Sequence, residues 1–147
     1  MPPAISLRPS MPADAALYYR VVDETLREHI VFAWGSFNEQ RAHAEAFEFG
    51  MSPDARVIEV DGAAAGILSF QFEPDCLCLH LLALLRHAQG RGAGTVAMRH
   101  VFAQAAAAAL PVRLRVIASN PVRPFYDKLR FRVVEETPQF WIMEHAA

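Results

Sequence analysis

The sequence predicts a mixed α/β or α+β fold, in which a central sheet carries helices on both faces. Three observations indicate this fold: helical periodicity before residue 50, strand-like runs after residue 56, and an apolar strand that leads through a glycine-rich loop into a long helix. No linker, repeat or charge run divides the 147 residues, of which 53% are hydrophobic. We therefore expect one domain over residues 1–147 with a sizeable core.

The first third of the chain is predicted to be mostly helical. The run from Ile5 to Arg8 is typical of an opening strand, and helical spacing of apolar residues follows from about Pro12. Ser36 and Glu39 form a capping-box pattern, which predicts the start of a second helix. Gly50 is expected to end that helix in a left-handed conformation, which glycine adopts without a Cβ penalty.

The remainder is predicted to be strands around one long helix. The turn Asp61-Gly62 predicts a hairpin between antiparallel strands over residues 56–60 and 65–72. The later elements are, in order, a central strand over 76–84, a helix over about 92–109, a strand over 112–117, a short helix over 124–129, and closing strands over 132–134 and 140–143.

Charge and hydropathy exclude several classes of protein. A formal net charge of −2 disfavours nucleic-acid binding, which needs a basic surface. No apolar run, Leu81 to Leu85 included, approaches the roughly 20 residues of a membrane span, so no membrane partner is expected. The start of the chain lacks a secretory pattern, and Cys76 and Cys78 are poorly placed to bridge each other. We expect a cytoplasmic protein.

The loop over residues 89–94 has glycines at Gly90, Gly92 and Gly94, between a strand and a helix. Missing side chains there let backbone N–H groups converge on an anion at the helix N-terminus, and Arg91 adds a positive charge. A P-loop would need a lysine, and a Rossmann fingerprint would need glycine in place of Thr95. A tight turn without a ligand is the remaining alternative.

Two segments carry a resemblance to a known family. Gln89-Gly90-Arg91-Gly92-Ala93-Gly94 matches the Q/R-x-x-G-x-G/A signature of the GNAT superfamily of N-acetyltransferases, and the stretch from Asn120 to Phe131 resembles that family's N-x(5–6)-Y-x-x-x-G-F segment. The opening Ile5 to Pro9 is similar to its first strand, so the resemblance spans nearly the whole chain. It implies a GNAT-like, mostly antiparallel mixed sheet of six to seven strands.

The resemblance also implies acetyl-CoA as cosubstrate. The glycine loop would hold the pyrophosphate, the strand before it would bind pantetheine as an added strand, and Asn120 would bond the pantetheine arm. Capping of the next helix is the alternative role for Asn120. The implied cofactor-binding residues are Leu82, Ala83, Leu84, Gln89, Gly90, Arg91, Gly92, Ala93, Gly94, Thr95 and Asn120.

Tyr126 matches the family tyrosine that protonates the departing CoA sulfur, with a purely structural core tyrosine as the alternative. The chain departs from the family at Arg130, where glycine is usual, so this turn is expected to be built differently. It also has Cys78 where some members place a glutamate base, and His80 is the predicted base instead. A structural strand histidine is the alternative for His80. Further base candidates, left unranked, are Glu24, His29 and Glu73.

The acceptor site is expected on the early helices. Trp34, with Phe32 and Phe37, would wall a pocket for an amine, or these aromatic side chains would pack the helices onto the sheet. The predicted acceptor-binding residues are Trp34, Glu24 and His29, with Glu28 as a second candidate to pair the amine charge. No metal is expected, because Cys76, Cys78 and His80 would be spaced too widely along a strand.

Three functions compete. The first is an acetyl-CoA-dependent N-acetyltransferase acting by direct transfer on a primary amine, carried by a small molecule or a peptide. The second is a non-catalytic acyl-CoA-binding or regulatory module on the same fold. The third is a nucleotide-binding protein of another fold. Closing strands of such small domains often pair between subunits, so a homodimer is an open alternative to a monomer.

Overall fold

The computed structural model describes residues 2–146 and contains one seven-stranded sheet in the order β1-β2-β3-β4-β5-β7-β6. Only β4 and β5 pair in parallel; the other neighbours are antiparallel, which confirms the predicted mostly antiparallel sheet. The strands are β1 Ile5–Pro9, β2 Arg56–Val60, β3 Ala63–Phe72, β4 Leu77–Leu84, β5 Val112–Ile117, β6 Arg132–Glu136 and β7 Phe140–His145.

Five α-helices cover the two faces of the sheet, as predicted. The helix expected from Pro12 is a short 3-10 turn over Pro12–Asp14 followed by two helices, because the backbone at Leu26 leaves the helical region. None of the helices within residues 2–146 is long and apolar enough to cross a bilayer. The helices are α1 Ala15–Thr25, α2 Arg27–Trp34, α3 Glu39–Met51, α4 Ala93–Ala107 and α5 Arg123–Lys128.

Both predicted ends of α3 are wrong. Asn38 caps the helix in place of Ser36, because its side-chain oxygen accepts a hydrogen bond of 3.0 Å from the Arg41 N–H. Gly50 lies inside the helix, where an added Cβ would come within 2.9 Å of the Met11 carbonyl oxygen. Gly50 therefore permits close packing of two backbone segments rather than a left-handed stop.

The core consists of two apolar layers, one on each face of the sheet. The layer under α4 contains Met98, Val101, Leu77 and Met143, all fully buried. The opposite layer, under α1 and α3, is centred on the fully buried side chains of Val21, Val57, Ile67 and Leu85. Burial of such side chains stabilises the fold by roughly 1.5–3 kcal/mol each, so the two layers hold α4 and α1 in fixed positions on the sheet.

The middle of the sheet opens because β4 and β5 separate. Their parallel ladder runs only from Leu77 opposite Val112 to Leu79 opposite Leu114. At that point β4 has a bulge: Ser69 pairs with Leu81 and Phe70 with Leu79, so His80 is an extra residue. Among the described residues, no strand pairs with the β5-facing edge of β4 beyond Leu79.

The turn after α5 contains a non-glycine residue in the left-handed region. Arg130 has φ of 69°, so the expectation that this turn is built differently to avoid strain at Arg130 is wrong. The turn allows the Phe131 N–H to donate to the Tyr126 carbonyl oxygen at 3.1 Å. It also places the Phe131 and Tyr126 ring centroids 5.5 Å apart. The strained turn therefore helps to hold Tyr126 in position.

Replacement of Arg130 by glycine is expected to raise the free energy of unfolding by roughly 0.5–1 kcal/mol. Left-handed backbone costs a residue with a Cβ about 1–2 kcal/mol, and the greater entropy of unfolded glycine offsets part of the gain. Urea unfolding measures the difference. Arg130→Ala, which keeps the Cβ, is the control and should show no gain; equal stability of the glycine and alanine variants would contradict the argument.

Candidate active site

A cleft of about 860 Å³ opens where β4 and β5 separate, which is within the usual size of small-molecule sites. Its walls come from the end of β4, the glycine loop, the start of α4, the loop after β5, α5, the end of α1 and the start of α2. Ten of the predicted cofactor-binding residues line it: Leu82, Ala83, Leu84, Gln89, Gly90, Gly92, Ala93, Gly94, Thr95 and Asn120.

The glycine loop presents open backbone to this cleft. Gly90 and Gly92 have φ of 77° and 86°, which glycine adopts without strain, and a Cβ on either would meet nothing within 4 Å. Gly92 caps α4, whose first backbone turn bond is from the Val96 N–H to the Gly92 carbonyl oxygen at 3.2 Å. The N–H groups of residues 93–95 therefore have no intrahelical partner and can bind an anion.

The two long side chains of the loop have different roles. The Gln89 side-chain amide donates to the Leu84 carbonyl oxygen at 3.0 Å, which ties the loop to the end of β4. The Arg91 guanidinium lies outside the cleft lining, 3.8 Å from the Asp61 carboxylate in the β2–β3 turn. Both Arg91 and Asp61 are largely exposed, so this pair holds the arginine only weakly.

Glu24 anchors the segment that follows β4 and does not line the cleft. Its carboxylate accepts a hydrogen bond of 2.9 Å from the Arg86 N–H, which lies just after β4. Glu24 is absent from the cleft wall, whereas Arg86 is part of it. The structure therefore places Glu24 as a link between α1 and the segment just after β4, away from the predicted acceptor position.

Tyr126 lies on α5, and its ring packs in the core between Phe125 and Phe131, with centroid distances of 5.1 Å and 5.5 Å. The residue also lines the cleft. Burial raises the pKa of the phenol above its ordinary value of 10.0. The hydroxyl therefore stays protonated at neutral pH, as a proton donor must.

Asn120 also lines the cleft, from the loop after β5. The alternative role for this residue, capping of the next helix, is not seen: Val122 is the N-cap of α5 and no side chain caps it. Asn120 thus reaches the cleft with its side chain free of helix capping.

The two candidate histidines differ in position: His29 lines the cleft and His80 does not. His29 lines the cleft, and its Nδ1 lies 2.7 Å from the Ser119 hydroxyl oxygen, a contact that joins α2 to the loop after β5. His80, at the β4 bulge, is exposed, bonds the Gln71 side chain at 3.3 Å and is absent from the cleft wall. Glu73 lies in the β3–β4 turn, also outside the cleft. The geometry favours His29 over the predicted base His80.

Trp34 lies at the end of α2, beyond the cleft wall, and is 53% exposed. Its ring is 5.2 Å from the ring of Phe140, and the Arg115 guanidinium lies near both rings. Phe37 instead packs under the Arg27 guanidinium, 4.1 Å from the ring centroid, and Phe32 is exposed. The three predicted aromatic residues therefore do not form one pocket wall.

No group of three or more metal-ligating side chains occurs within the part of the chain that the structure describes. Cys76 and Cys78 are free thiols, and burial raises the pKa of both. These thiols are therefore protonated at neutral pH, which makes them poor nucleophiles and poor metal ligands.

A family model described as "Acetyltransferase (GNAT) family" matches residues 16–131, which is well over half of the chain. The chain belongs to the GNAT family of acetyltransferases. The predicted resemblance is thereby confirmed. No curated protein sequence matches this GNAT chain significantly.

Solved GNAT structures share the fold at low identity. PaiA N-acetyltransferase from Thermoplasma acidophilum, in complex with coenzyme A, has a TM-score of 0.79 and 16% identity, over 98% of this chain and 99% of its own. Ard1 from Thermoplasma volcanium has a TM-score of 0.79 and 19% identity, over 97% of each chain. Naa50 from Arabidopsis thaliana, bound to the bisubstrate analogue CoA-Ac-MVNAL, has a TM-score of 0.70 and 15% identity, over 97% of this chain and 99% of its own.

Several residues of the cleft wall were not among the predicted site residues, and Ser119 and Arg86 are two of them. Ser119 directly precedes Asn120, and Arg86 lies two positions after Leu84; the resemblance had singled out both Asn120 and Leu84. Their closeness in the chain to these predicted site residues could have indicated that they line the cleft. The contact of Ser119 with His29 joins residues 90 positions apart and had no local signal.

Proposed function

We propose that the protein transfers an acetyl group from acetyl-CoA directly to a primary amine, with Tyr126 as general acid. The observation that carries the proposal is the coincidence of three features in one cleft: free N–H groups at the start of α4, an unpaired β4 edge, and a protonated buried tyrosine. The first two suit the diphosphate and the pantetheine amide chain of the donor. The third, the protonated tyrosine, can donate a proton to the leaving sulfur of the donor.

The donor fits the residues present. Open space at Gly90 and Gly92 leaves room for a diphosphate against the backbone. Each charge-assisted hydrogen bond to it would contribute roughly 1.5–3 kcal/mol. The edge of β4 at Leu82 to Leu84 has no strand partner on the side facing β5 within residues 2–146, so its backbone groups can pair with amide groups of pantetheine. Asn120, in the loop after β5, lines the same cleft as this edge.

We assign the general base to His29 in place of His80. The amine nitrogen must lose a proton as it bonds to the acyl carbon, while the carbon–sulfur bond breaks and the sulfur takes a proton from Tyr126. If Nδ1–H of His29 donates to the Ser119 oxygen, Nε2 is left as the proton acceptor. Glu28, 3.8 Å from Nε2 and on the cleft wall, would favour the resulting positive charge.

His29→Gln is expected to lower kcat/KM about tenfold, because water can replace part of the proton transfer but not its orientation. Affinity for coenzyme A should stay unchanged. His80→Gln is the matched control and should keep wild-type kcat/KM, because His80 lies outside the cleft. A larger loss of kcat/KM in His80→Gln than in His29→Gln would identify His80 as the base.

One experiment tests the proposed function as a whole. Calorimetric titration with coenzyme A measures binding, and thiol release from acetyl-CoA over a panel of amines and short peptides measures transfer. Binding together with amine-dependent thiol release is the expected result. Binding of coenzyme A without thiol release on any amine would favour the non-catalytic acyl-CoA-binding module. No binding of coenzyme A would contradict both this module and the acetyltransferase.

A further inference from the structure

Beside the cleft, side chains from three elements form a stacked cluster, which we name the Arg115 clamp: Trp34 of α2, Arg115 of β5 and Phe140 of β7. The Arg115 guanidinium carbon lies 5.2 Å from the Trp34 ring centroid and 4.4 Å from the Phe140 ring centroid. The two rings are 5.2 Å apart and inclined by 54°. Contacts of this kind hold an arginine through the faces of its planar group.

The clamp leaves the edge of the guanidinium available. Stacking uses its faces, whereas hydrogen bonds to a carboxylate use the in-plane N–H groups. Arg113, two residues earlier on the same strand, has its edge occupied by the Glu144 carboxylate at 2.9 Å. Within residues 2–146, no carboxylate oxygen lies within 4.0 Å of the Arg115 guanidinium. Arg115 is therefore an oriented and exposed cation without an anionic partner among these residues.

Arg115 also lies at the opening of the sheet. It follows Leu114, the last β5 residue paired with β4. Leu114 and Val116 point into the core under α4, so the Arg115 side chain lies on the opposite face, where α2 runs. α2 makes two contacts in this region. His29 contacts Ser119 in the loop after β5, and Trp34 contacts Arg115 of β5. α2 thus carries both His29, the assigned base, and Trp34, which packs against the Arg115 guanidinium.

The spacing between the two positions limits the acceptor. His29 and Trp34 are separated by roughly 7.5 Å along the axis of α2. Arg115 and Ser119 are four positions apart, and at most roughly 13 Å separates them, because the chain turns after β5 ends at Ile117. An amine next to His29 and a carboxylate next to Arg115 would thus lie roughly 7 to 13 Å apart. Two to three residues of extended peptide span this distance at ~3.5 Å per residue, and so does an ω-amino acid of similar length.

We infer that the Arg115 clamp selects acceptor amines that also carry a carboxylate at this distance. The positive end of the acceptor would lie by Glu28 and His29, and its negative end by Arg115, so the charges of the site and the acceptor are complementary. The carboxylate belongs either to a free ω-amino acid or to an acidic residue near the N-terminus of a peptide. This inference rests on the proposed acyl transfer.

The test compares matched acceptors that differ only in the carboxylate. One pair is ε-aminohexanoate and n-hexylamine, and the other is a tetrapeptide amide with aspartate or asparagine at its third position. Wild type should prefer the carboxylated member of at least one pair. Arg115→Met should remove that preference by raising KM about tenfold, equivalent to ~1.4 kcal/mol, with little change in kcat. The pair that responds identifies the source of the carboxylate.

Controls separate recognition from structure. Arg115→Lys keeps the charge but not the planar fork and should lose most of the preference, and Arg99→Met, on the exposed side of α4, should lose none. Two results would overturn the carboxylate inference but not the acyl-transfer proposal. One is an equal loss of activity toward both members of a pair in Arg115→Met. The other is a wild type that acetylates amines but shows no preference for the carboxylated ones. Failure of wild type to bind coenzyme A would overturn the acyl-transfer proposal as well.

Discussion

Tyr126→Phe is expected to lower kcat by about 10²- to 10⁴-fold, the usual contribution of a positioned acid or base. The phenylalanine ring fills the same space between Phe125 and Phe131, so the fold and the cleft should be preserved. Only the proton for the leaving sulfur is lost. The dissociation constant of acetyl-CoA should therefore stay within about twofold of wild type, since the hydroxyl acts on the leaving group and not on binding.

The pH profile gives a second signature of Tyr126. Its folded-state pKa is raised, so the phenol is protonated below its unfolded pKa near 10 and remains so somewhat above it. Activity should therefore show no loss from this group up to about pH 10. The raised pKa also means that its contribution to stability is present below that unfolded pKa and is lost as pH rises through the folded value.

Tyr18→Phe is the matched control for Tyr126→Phe. Tyr18 is also buried, its pKa is raised chiefly by burial, and it lies in the core layer on the opposite face of the sheet. Loss of its hydroxyl should leave kcat unchanged. Equal kcat for wild type and Tyr126→Phe, measured at saturating acetyl-CoA, would remove Tyr126 from the reaction and leave it as a core residue.

Gly92→Ala is expected to weaken coenzyme A binding about 30- to 150-fold. The added Cβ would project into the open space beside the α4 N-terminus, where the diphosphate is proposed to lie. It would also strain a residue with φ of 86°. Loss of one or two charge-assisted hydrogen bonds corresponds to roughly 2–3 kcal/mol, which gives this range of affinity. Calorimetry with coenzyme A measures it.

Gly35→Ala controls for backbone strain. Gly35 has φ of 83°, its added Cβ also meets nothing within 4 Å, and it ends α2 away from the glycine loop. Both variants should lose similar stability, about 1–2 kcal/mol, in urea unfolding. Only Gly92→Ala should lose affinity. Similar coenzyme A affinities for the two variants would show that the backbone at the start of α4 does not hold the ligand.

Local patterns were enough to predict most of the fold. The β2–β3 hairpin follows from Asp61-Gly62, whose φ values of 52° and 83° are those of the predicted tight turn. The strand Val112–Ile117 was predicted with its observed bounds, because a short apolar run is bordered by turns. The glycine loop was recognisable because its conformation and its exposure both depend on residues that are adjacent in the chain.

The errors arise where distant segments decide the structure. Gly50 was assigned to a helix end, but its backbone is approached by Met11, which lies 39 positions earlier in the sequence. His80 was predicted as the base on the pattern of its strand, but the bulge and the separation of the strands leave it outside the cleft. His29 and the Arg115 clamp depend on how α2 packs beside β5, for which the sequence contains no local signal.

The bulge at His80 also explains why the opening in the sheet costs no core packing. Before it, Leu77 and Leu79 face α4; after it, the alternation has slipped by one position, so Leu82 and Leu84 face α4 as well. The side chains that β4 turns to each face after the bulge thus depend on the number of residues in β4 rather than on which residue occupies the extra position. Loss of one residue there would exchange the two faces of the strand after it, so that Leu82 and Leu84 would face α1 while Leu81 and Ala83 would face α4.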